Sequence, residues 1–217
     1  KIKFLGNLKF SESKTQKNSA LNKNIEKIFK SRKIWCAVST HNGEEKICAE
    51  AHQKLKKKYK KLLTVIIPRH VHRVNDIYKE ILDMGFKVQI HSKKSKIKKD
   101  TDIYLVDTYG ETKSFFKICN TVFLGGSIVN HGGQNPLEPA RFGCKILHGP
   151  NIQNFTEVYR LLNKKNLSFK FYNTNQLAKS VNQSLNQNIN FSKKITKLKK
   201  IGSNILNHTS TEINCFL

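Results

Sequence analysis

The chain has 217 residues, of which 38% are hydrophobic and 9% aromatic, so it is long enough and apolar enough to form one packed domain. Its formal net charge of +25 indicates contact with a polyanion, either nucleic acid or an anionic membrane, or a solvated surface that is simply rich in lysine. The five cysteines form no CxxC pair, which excludes a zinc-ligand pattern, and no apolar run reaches the roughly 20 residues that cross a bilayer.

Strand-like apolar runs alternate with helix-like segments along the chain. We predict strands over residues 34–40, 62–68, 86–91, 102–108, 121–126, 144–149 and 168–172. We predict helices over residues 44–59, 74–85, 111–119, 174–186 and 190–207, and a further helix that begins at Pro136. Apolar strands separated by helices are typical of a sheet covered on both faces, so the expected fold class is α/β, a doubly wound Rossmann-like parallel sheet.

The polar composition outside the predicted sheet sets the expected domain boundaries. Residues 1–32 are expected to form a linker and a helix, residues 33–190 one Rossmann-like domain, and residues 191–217 a C-terminal helix and tail. Residues 93–100 are expected to form an exposed basic loop. The lysine-rich runs 54–61 and 193–200 are either solvated helix faces or contacts with an anionic surface.

The most informative segments follow the predicted strands, because ligands of such folds bind beyond the carboxyl ends of the strands. These segments are STHNGEE (39–45), PRHVHR (68–73), DTYGE (107–111), GGSIVNHGGQNPLEP (125–139) and GPNIQNF (149–155). All of them are strand-to-helix corners, so we expect them to face one cleft. Neither the GxGxxG dinucleotide fingerprint nor a Walker A lysine loop is present among them.

The run GGQNPLEPA has the features of a phosphate-binding helix start. Gly132 and Gly133 allow close backbone approach to a ligand, and Asn135 is expected to cap a helix whose first turn contains Pro136. Free N–H groups at such a start bind phosphate. Glu138 would lie in the same turn and accept hydrogen bonds from two vicinal hydroxyls, such as those of a ribose. The alternative is a simple helix cap with a favourably placed glutamate.

Two other corners carry groups that bind anions. In STHNGEE, Gly43 permits a tight turn and His41 can donate to an anionic ligand, although glutamates in a first helical turn are also ordinary partners of the helix dipole. In PRHVHR, Arg69 offers a guanidinium fork for phosphate or carboxylate. The HxH pair of this segment has no carboxylate or third histidine nearby, which argues against a metal site.

Six segments in order, FLGNLKF, STHNGEE, PRHVHR, DTYGE, GGSIV and GGQNPLEPA, resemble the C-terminal half of bacterial 3-deoxy-D-manno-octulosonic acid (Kdo) transferase. This enzyme is a lipopolysaccharide-core glycosyltransferase of the two-domain GT-B type. The resemblance extends from Gly6 to about Asn207 and is weakest after residue 165. The chain departs from the family pattern at Gln134, where histidine is common, and at Asn42, where glutamate is common.

The resemblance implies CMP-Kdo as donor, a lipid A precursor as acceptor, and metal-independent transfer without a cofactor. It also implies the cytoplasmic face of the bacterial inner membrane as location, with an anionic membrane surface as partner and no nucleic acid. The general base would come from the family's N-terminal domain, so these residues alone would be inactive. The implied donor-binding residues are Ser39, Thr40, His41, Gly43, Glu44, Arg69, His70, Tyr109, Gly110, Glu111, Gly126, Ser127, Gly132, Gly133, Asn135, Pro136 and Glu138.

Three alternatives stay open on the sequence alone. One is a different GT-B enzyme that uses a UDP-sugar. Another is a basic RNA-binding module, suggested by the charge, although the aromatic-rich RNP pattern and the GXXG clamp are absent. The third is a piece of a split or degenerate gene, since the family's N-terminal half has no counterpart in the sequence.

Overall fold

The computed structural model describes residues 21–93, 97–186, 203, 207–211 and 213–214. The strands are β1 (Lys33–Thr40), β2 (Leu62–Pro68), β3 (Val88–Ile90), β4 (Ile103–Leu105), β5 (Thr121–Leu124), β6 (Lys145–His148) and β7 (Ser168–Lys170). The helices are α1 (Lys23–Lys30), α2 (Glu44–Lys56), α3 (Val74–Asp83), α4 (Thr112–Phe116), α5 (Leu137–Arg141), α6 (Thr156–Lys164) and α7 (Thr174–Leu185). Single 3-10 turns at Val71–Arg73 and Gln153–Phe155 precede α3 and α6.

The seven strands form one parallel sheet in the order β3-β4-β2-β1-β5-β6-β7. The chain adds β2 on one side of β1 and later β5 on the other side, so the order of the strands reverses at β1. The loops after β1 and β5 therefore leave the sheet in opposite directions and open a crevice between them. This is the point at which an open α/β sheet binds its ligands.

Helices cover both faces of the sheet, and each face has its own apolar core. Side chains of α1, α4, α5 and α6 pack on one face, including Phe29, Phe115 and Leu162. Side chains of α2, α3 and α7 pack on the other, including Cys48 and Ile81. Every residue of β2 is buried, as expected for a central strand with both faces covered.

The predicted α/β doubly wound parallel sheet is confirmed, and all seven strands lie within or next to their predicted ranges. Helix α6 was not predicted, and α5 begins at Leu137, one residue after the predicted start. The loop 93–100 is only partly exposed, because Ile97 is buried in a core, and residues 94–96 are outside the described part.

The predicted boundaries at residues 32 and 190 stay predictions. The helix predicted over 190–207 and the lysine run 193–200 lie almost entirely outside the described residues. Within the described ranges, none of the helices combines the length and the apolar composition that a bilayer-spanning helix requires. The four described cysteines are buried free thiols, and burial raises the pKa of Cys36, Cys48 and Cys144.

Candidate functional site

The crevice at the carboxyl edge of the sheet begins where the backbones of β1 and β5 end side by side. A Cβ atom on Gly125 would lie 2.3 Å from the carbonyl oxygen of Ser39 and 2.6 Å from the Cα atom of Thr40, so only glycine fits there. Ser39 itself has a positive φ of 55° at an irregularity in the register of β1 between Val38 and Thr40. A positive φ is uncommon for serine, and such residues cluster at functional sites.

Glu44 connects the two loops of the crevice. Its side chain is fully buried, and its Oε2 atom accepts hydrogen bonds from the backbone N–H groups of His41 at 2.9 Å and Gly126 at 2.8 Å. Its Oε1 atom accepts from Ser127 at 3.1 Å and Ile128 at 2.9 Å. The carboxylate thus has four backbone donors, so the contacts assign it to holding the loops. Its predicted direct contact with a donor stays a prediction.

Ser127 extends this network to the loop after β6. Its buried hydroxyl donates to the carbonyl oxygen of Leu124 at 2.6 Å and accepts from the N–H group of Gly149 at 2.9 Å. Its carbonyl oxygen accepts from the N–H group of Asn151 at 2.9 Å. The floor of the crevice is therefore one hydrogen-bonded backbone unit built from the loops after β1, β5 and β6.

Three imidazole rings from three loops meet above this floor. The His41 ring lies 4.1 Å from the His131 ring and 6.1 Å from the His70 ring, measured between centroids. A Cβ atom on Gly126 would lie only 3.3 Å from the rings of His41 and His131. Glycine at this position therefore leaves room for both rings. The loss of hydration, followed by the neighbouring His131, His70 and two arginines, lowers the pKa of His41 to about 4. His41 is therefore neutral at pH 7.

Two buried polar atoms of this corner have no hydrogen-bond partner among the described residues. They are the Nε2 atom of His41 and the Oγ1 atom of Thr40. Unsatisfied buried polar atoms are rare in folded proteins and are often found where a ligand or an ordered water binds. Both residues lie at the end of β1, within the segment that the sequence predicts to line the site. Gly43, two residues after His41, has a φ of 86° and immediately precedes α2.

The two arginines after β2 have different environments. Arg73 is paired with the fully buried Glu45 through two hydrogen bonds of 3.0 and 3.2 Å. Arg69 is exposed, and its backbone N–H group donates to the carbonyl oxygen of Thr40 at 3.0 Å. The guanidinium of Arg69 is thus at the crevice and accessible, whereas that of Arg73 holds α2 against the loop after β2.

The two glycines of GGQNPLEPA face protein atoms where a ligand was expected. Gly132 and Gly133 have φ values of 87° and 78°, as a turn that favours glycine requires. A Cβ atom on Gly132 would lie 2.4 Å from the Asn154 side chain, and one on Gly133 would lie 3.1 Å from the carbonyl oxygen of Asn151. Their close approach is therefore to the loop after β6.

The helix start of α5 is capped by Asn135, whose Oδ1 atom accepts from the N–H group of Leu137 at 3.0 Å. Pro136 immediately precedes the helix, and Glu138 lies in its first turn with 43% of its side chain exposed. The Nζ atom of Lys113 on α4 lies 3.6 Å from the Glu138 carboxylate. An accessible acceptor beside a lysine is thus placed at the mouth of the site.

The segment after β4 lies next to this helix. Tyr109 is 74% exposed, and Gly110 has a φ of 84°. The carboxylate of Glu111 accepts a hydrogen bond from the hydroxyl of Thr108 and lies 3.0 Å from the Nε2 atom of His91. The exposed tyrosine therefore presents a free aromatic face, and its neighbouring turn is fixed by Glu111.

The structure brings the predicted residues into two adjacent groups. The loops after β1, β2 and β5 form the first group, around the imidazoles, and α5 with the segment 107–113 forms the second. His131, Lys113 and the Arg73–Glu45 pair are not among the site residues predicted from the sequence. His131 lies inside the quoted run GGSIVNHGG, so its polarity beside a glycine pair was an available signal. Among the described residues, no group of three histidine, cysteine, aspartate or glutamate side chains is placed to hold a metal ion.

The fold matches a solved structure, the C-terminal CMP-Kdo binding domain of WaaA from Acinetobacter baumannii. The TM-score is 0.69 with 23% sequence identity, and the match covers 82% of this chain and 91% of that one. The chain therefore has the fold of the C-terminal domain of a GT-B glycosyltransferase.

Relatives in sequence indicate which glycosyltransferases the chain is similar to. The chain is 34% identical over 163 residues to 3-deoxy-D-manno-octulosonic acid transferase of Haemophilus influenzae, which is 75% of this chain and 38% of that protein. It is 30% identical over 149 residues to the enzyme of that name from Aquifex aeolicus, 69% of this chain and 41% of that protein. The chain is thus a homologue of Kdo transferases. No family model matches it. It spans about two fifths of the length of these relatives.

Proposed function

We propose that this chain is the donor-binding half of a glycosyltransferase that transfers Kdo from CMP-Kdo to a lipid A precursor in lipopolysaccharide biosynthesis. The observation that carries the proposal is the partly exposed Glu138 in the first turn of α5, beside a crevice with an accessible Arg69, in a homologue of Kdo transferases. The carboxylate of Glu138 can accept hydrogen bonds from two ribose hydroxyls. The guanidinium of Arg69 can neutralise the charge of the phosphate.

The nucleotide would lie across the two groups of the site. Cytidine would occupy the side of Tyr109, Gly110 and Glu111, with its ribose on Glu138. The phosphate would then point towards the sheet and Arg69. The residues around the Glu44 network, Ser39 to Gly43 and Gly126 to Ser127, would form the floor below it. An exposed tyrosine supports this direction, because aromatic rings stack on nucleobases.

Departure of CMP places growing negative charge on the leaving phosphate. Fixed donors that are aimed at such charge stabilise a transition state without reorganisation. The guanidinium of Arg69 is a group of this kind, and it supports transfer without a metal ion. The acceptor hydroxyl needs a base within hydrogen-bond reach. This base is expected from the part of the relatives that the chain does not match, so the chain alone would bind donor without transferring sugar.

Calorimetric titration with CMP tests the proposal. We expect CMP to bind more tightly than UMP, and Glu138→Ala to weaken CMP binding about 10-fold or more, since hydrogen bonds to a charged group contribute about 1.5–3 kcal/mol. Glu80→Ala is the control, because Glu80 is an exposed glutamate in the second half of α3, which runs away from the carboxyl edge of the sheet. Equal affinity of wild type and Glu138→Ala would remove Glu138 from the site. A preference for UMP would favour a UDP-sugar enzyme.

The location of the enzyme on the cytoplasmic face of the inner membrane is part of the same proposal. Four exposed lysines follow the end of α2, and no aspartate or glutamate lies among them in the sequence. They are Lys57, Lys58, Lys60 and Lys61. Each lysine near an anionic bilayer contributes about 1 kcal/mol. We expect the chain to sediment with vesicles of phosphatidylglycerol at low salt and to be released at high salt. Replacing these four lysines with glutamine should reduce sedimentation. Unchanged sedimentation would exclude this surface.

A further inference from the structure

The proposed function gives the imidazole rings of the crevice no chemical role beyond lining the site. His41 follows β1, His70 follows β2 and His131 follows β5, so three separate loops bring their rings to one point. His41 and His131 are in ring contact at 4.1 Å, a distance at which two protonated imidazoles would repel each other. The neutral form of His41 avoids this repulsion, and an anion bound among the rings would offset it.

The charges around His41 are unbalanced. Arg69 and Arg73 approach from the loop after β2, and His70 and His131 complete the surroundings on the cationic side. Two carboxylates face the corner from α2. That of Glu45 is paired with Arg73, and that of Glu44 accepts four backbone N–H groups. Both carboxylates are already engaged, so the corner has spare donors and no spare acceptor. The unpartnered Nε2 atom of His41 is one of these donors when it is protonated.

We infer that His41, His70 and His131, with Arg69, form an anion subsite for the carboxylate of the donor's sugar acid, and that this subsite takes up a proton when the carboxylate binds. The inference rests on the proposed function and adds the group that selects an acidic sugar. The exposed His131 side chain can turn away from His41 without backbone movement, which opens Nε2 to the ligand. The carboxylate then accepts from an imidazolium and from the guanidinium, both charge-assisted bonds.

The direction of the proton follows from linkage. Burial and the cationic neighbours hold the pKa of His41 at about 4, so the ring is neutral at pH 6. A bound carboxylate raises that pKa, because the nearby negative charge favours the protonated form. The complex therefore binds more protons than the free protein in the interval between the two pKa values. Within this interval the affinity for the sugar-acid donor rises as the pH falls.

The test is calorimetry near pH 6 in two buffers of different ionisation enthalpy, with two ligands. CMP-Kdo carries a phosphate and a carboxylate, whereas the methyl ester of CMP carries only a phosphate that does not titrate near this pH. We expect proton uptake with CMP-Kdo, little with the methyl ester, and loss of the uptake in His131→Gln and in His41→Gln. His208→Gln, which changes an exposed histidine in a distant part of the chain, should keep the uptake.

The outcomes separate this inference from the function on which it rests. Binding of both ligands with no proton uptake overturns the subsite and leaves nucleotide binding intact. Equal uptake with both ligands assigns the cluster to the phosphate and overturns the carboxylate assignment. Failure of both ligands to bind overturns the proposed function, and the subsite with it. Because His131 is exposed, its variant is expected to fold, so a negative result there counts against the inference.

Discussion

The Glu44 carboxylate accepts a hydrogen bond from the backbone N–H group of Ser127 at 3.1 Å, across 83 residues of sequence. With its three other backbone donors, this contact fixes the loop after β5 against the start of α2. Glu44→Gln replaces one acceptor oxygen with an amide that opposes a backbone N–H group. We expect the free energy of unfolding to fall by about 2–4 kcal/mol, measured by urea denaturation.

The control for this change is Glu80→Gln on the exposed side of α3. It removes the same charge and should alter stability by less than about 0.5 kcal/mol. If both variants lose the same stability, the loss in Glu44→Gln reflects charge alone. The four hydrogen bonds of Glu44 would then not account for it.

The two arginines of PRHVHR should respond differently to the same substitution. Arg73→Met leaves the carboxylate of Glu45 buried without its partner, which is expected to lower the free energy of unfolding by about 3–5 kcal/mol. Arg69→Met should change stability by less than about 0.5 kcal/mol and weaken CMP binding. A double variant, Arg73→Met with Glu45→Gln, should recover part of the loss. No recovery would show that packing, not the ion pair, causes it.

Alanine at Gly125 and at Gly85 separates steric from conformational effects. At Gly125 the added Cβ atom meets the Ser39 backbone at 2.3 Å, so β1 and β5 must move apart. At Gly85 the φ is 85° but the Cβ atom has nothing within 4 Å, so the change should cost only about 1 kcal/mol. We expect Gly125→Ala to lose at least twice as much stability in thermal unfolding. A similar loss in both would show that the strands can separate without penalty.

His148 makes stability depend on pH. Burial lowers the pKa of this histidine to about 4, while an unfolded histidine titrates near 6.5, so the unfolded chain binds the extra proton first. Stability is therefore lost as the pH falls from about 6.5 to 4, by roughly 3 kcal/mol in total. Urea unfolding across this range should show a shallower pH dependence for His148→Gln. His72→Gln should keep the wild-type dependence, and an unchanged slope in His148→Gln would contradict the assignment.

The sequence predicts the sheet well because buried parallel strands are continuous apolar runs, as β2 illustrates. Helix α6 was not predicted, and it begins at Thr156 without a side-chain cap, as α2 and α3 also begin, so a missing cap alone does not explain why it was missed. The glycines at 132 and 133 were expected to allow close approach of a ligand to the backbone, and the structure shows that both have a positive φ. What fills the space beside them, the Asn154 side chain and the backbone of Asn151, comes from a later loop that local patterns do not reveal.

The candidate site shows the same limit. Glutamates at the start of α2 read as ordinary partners of a helix dipole, and nothing local distinguishes Glu44 from Glu45. Their burial depends on partners far along the chain, Gly126 to Ile128 for Glu44 and Arg73 for Glu45. The cluster of His41, His70 and His131 likewise exists only once the strand order is known. The spacing of residue types along the chain therefore predicts helices and strands. Contacts between loops can be predicted only once the order of the strands in the sheet is known.

The carboxylate of Glu44 has a consequence for how specificity can change. Because it immobilises the main chain beneath the crevice in advance, an incoming molecule restricts only outward-pointing groups such as Arg69, Tyr109 and His131, each at about 0.5–1.5 kcal/mol of lost rotamer freedom. Substitution of those few side chains can therefore alter the preference among sugar-nucleotide donors, while the backbone that carries the side chains keeps its shape.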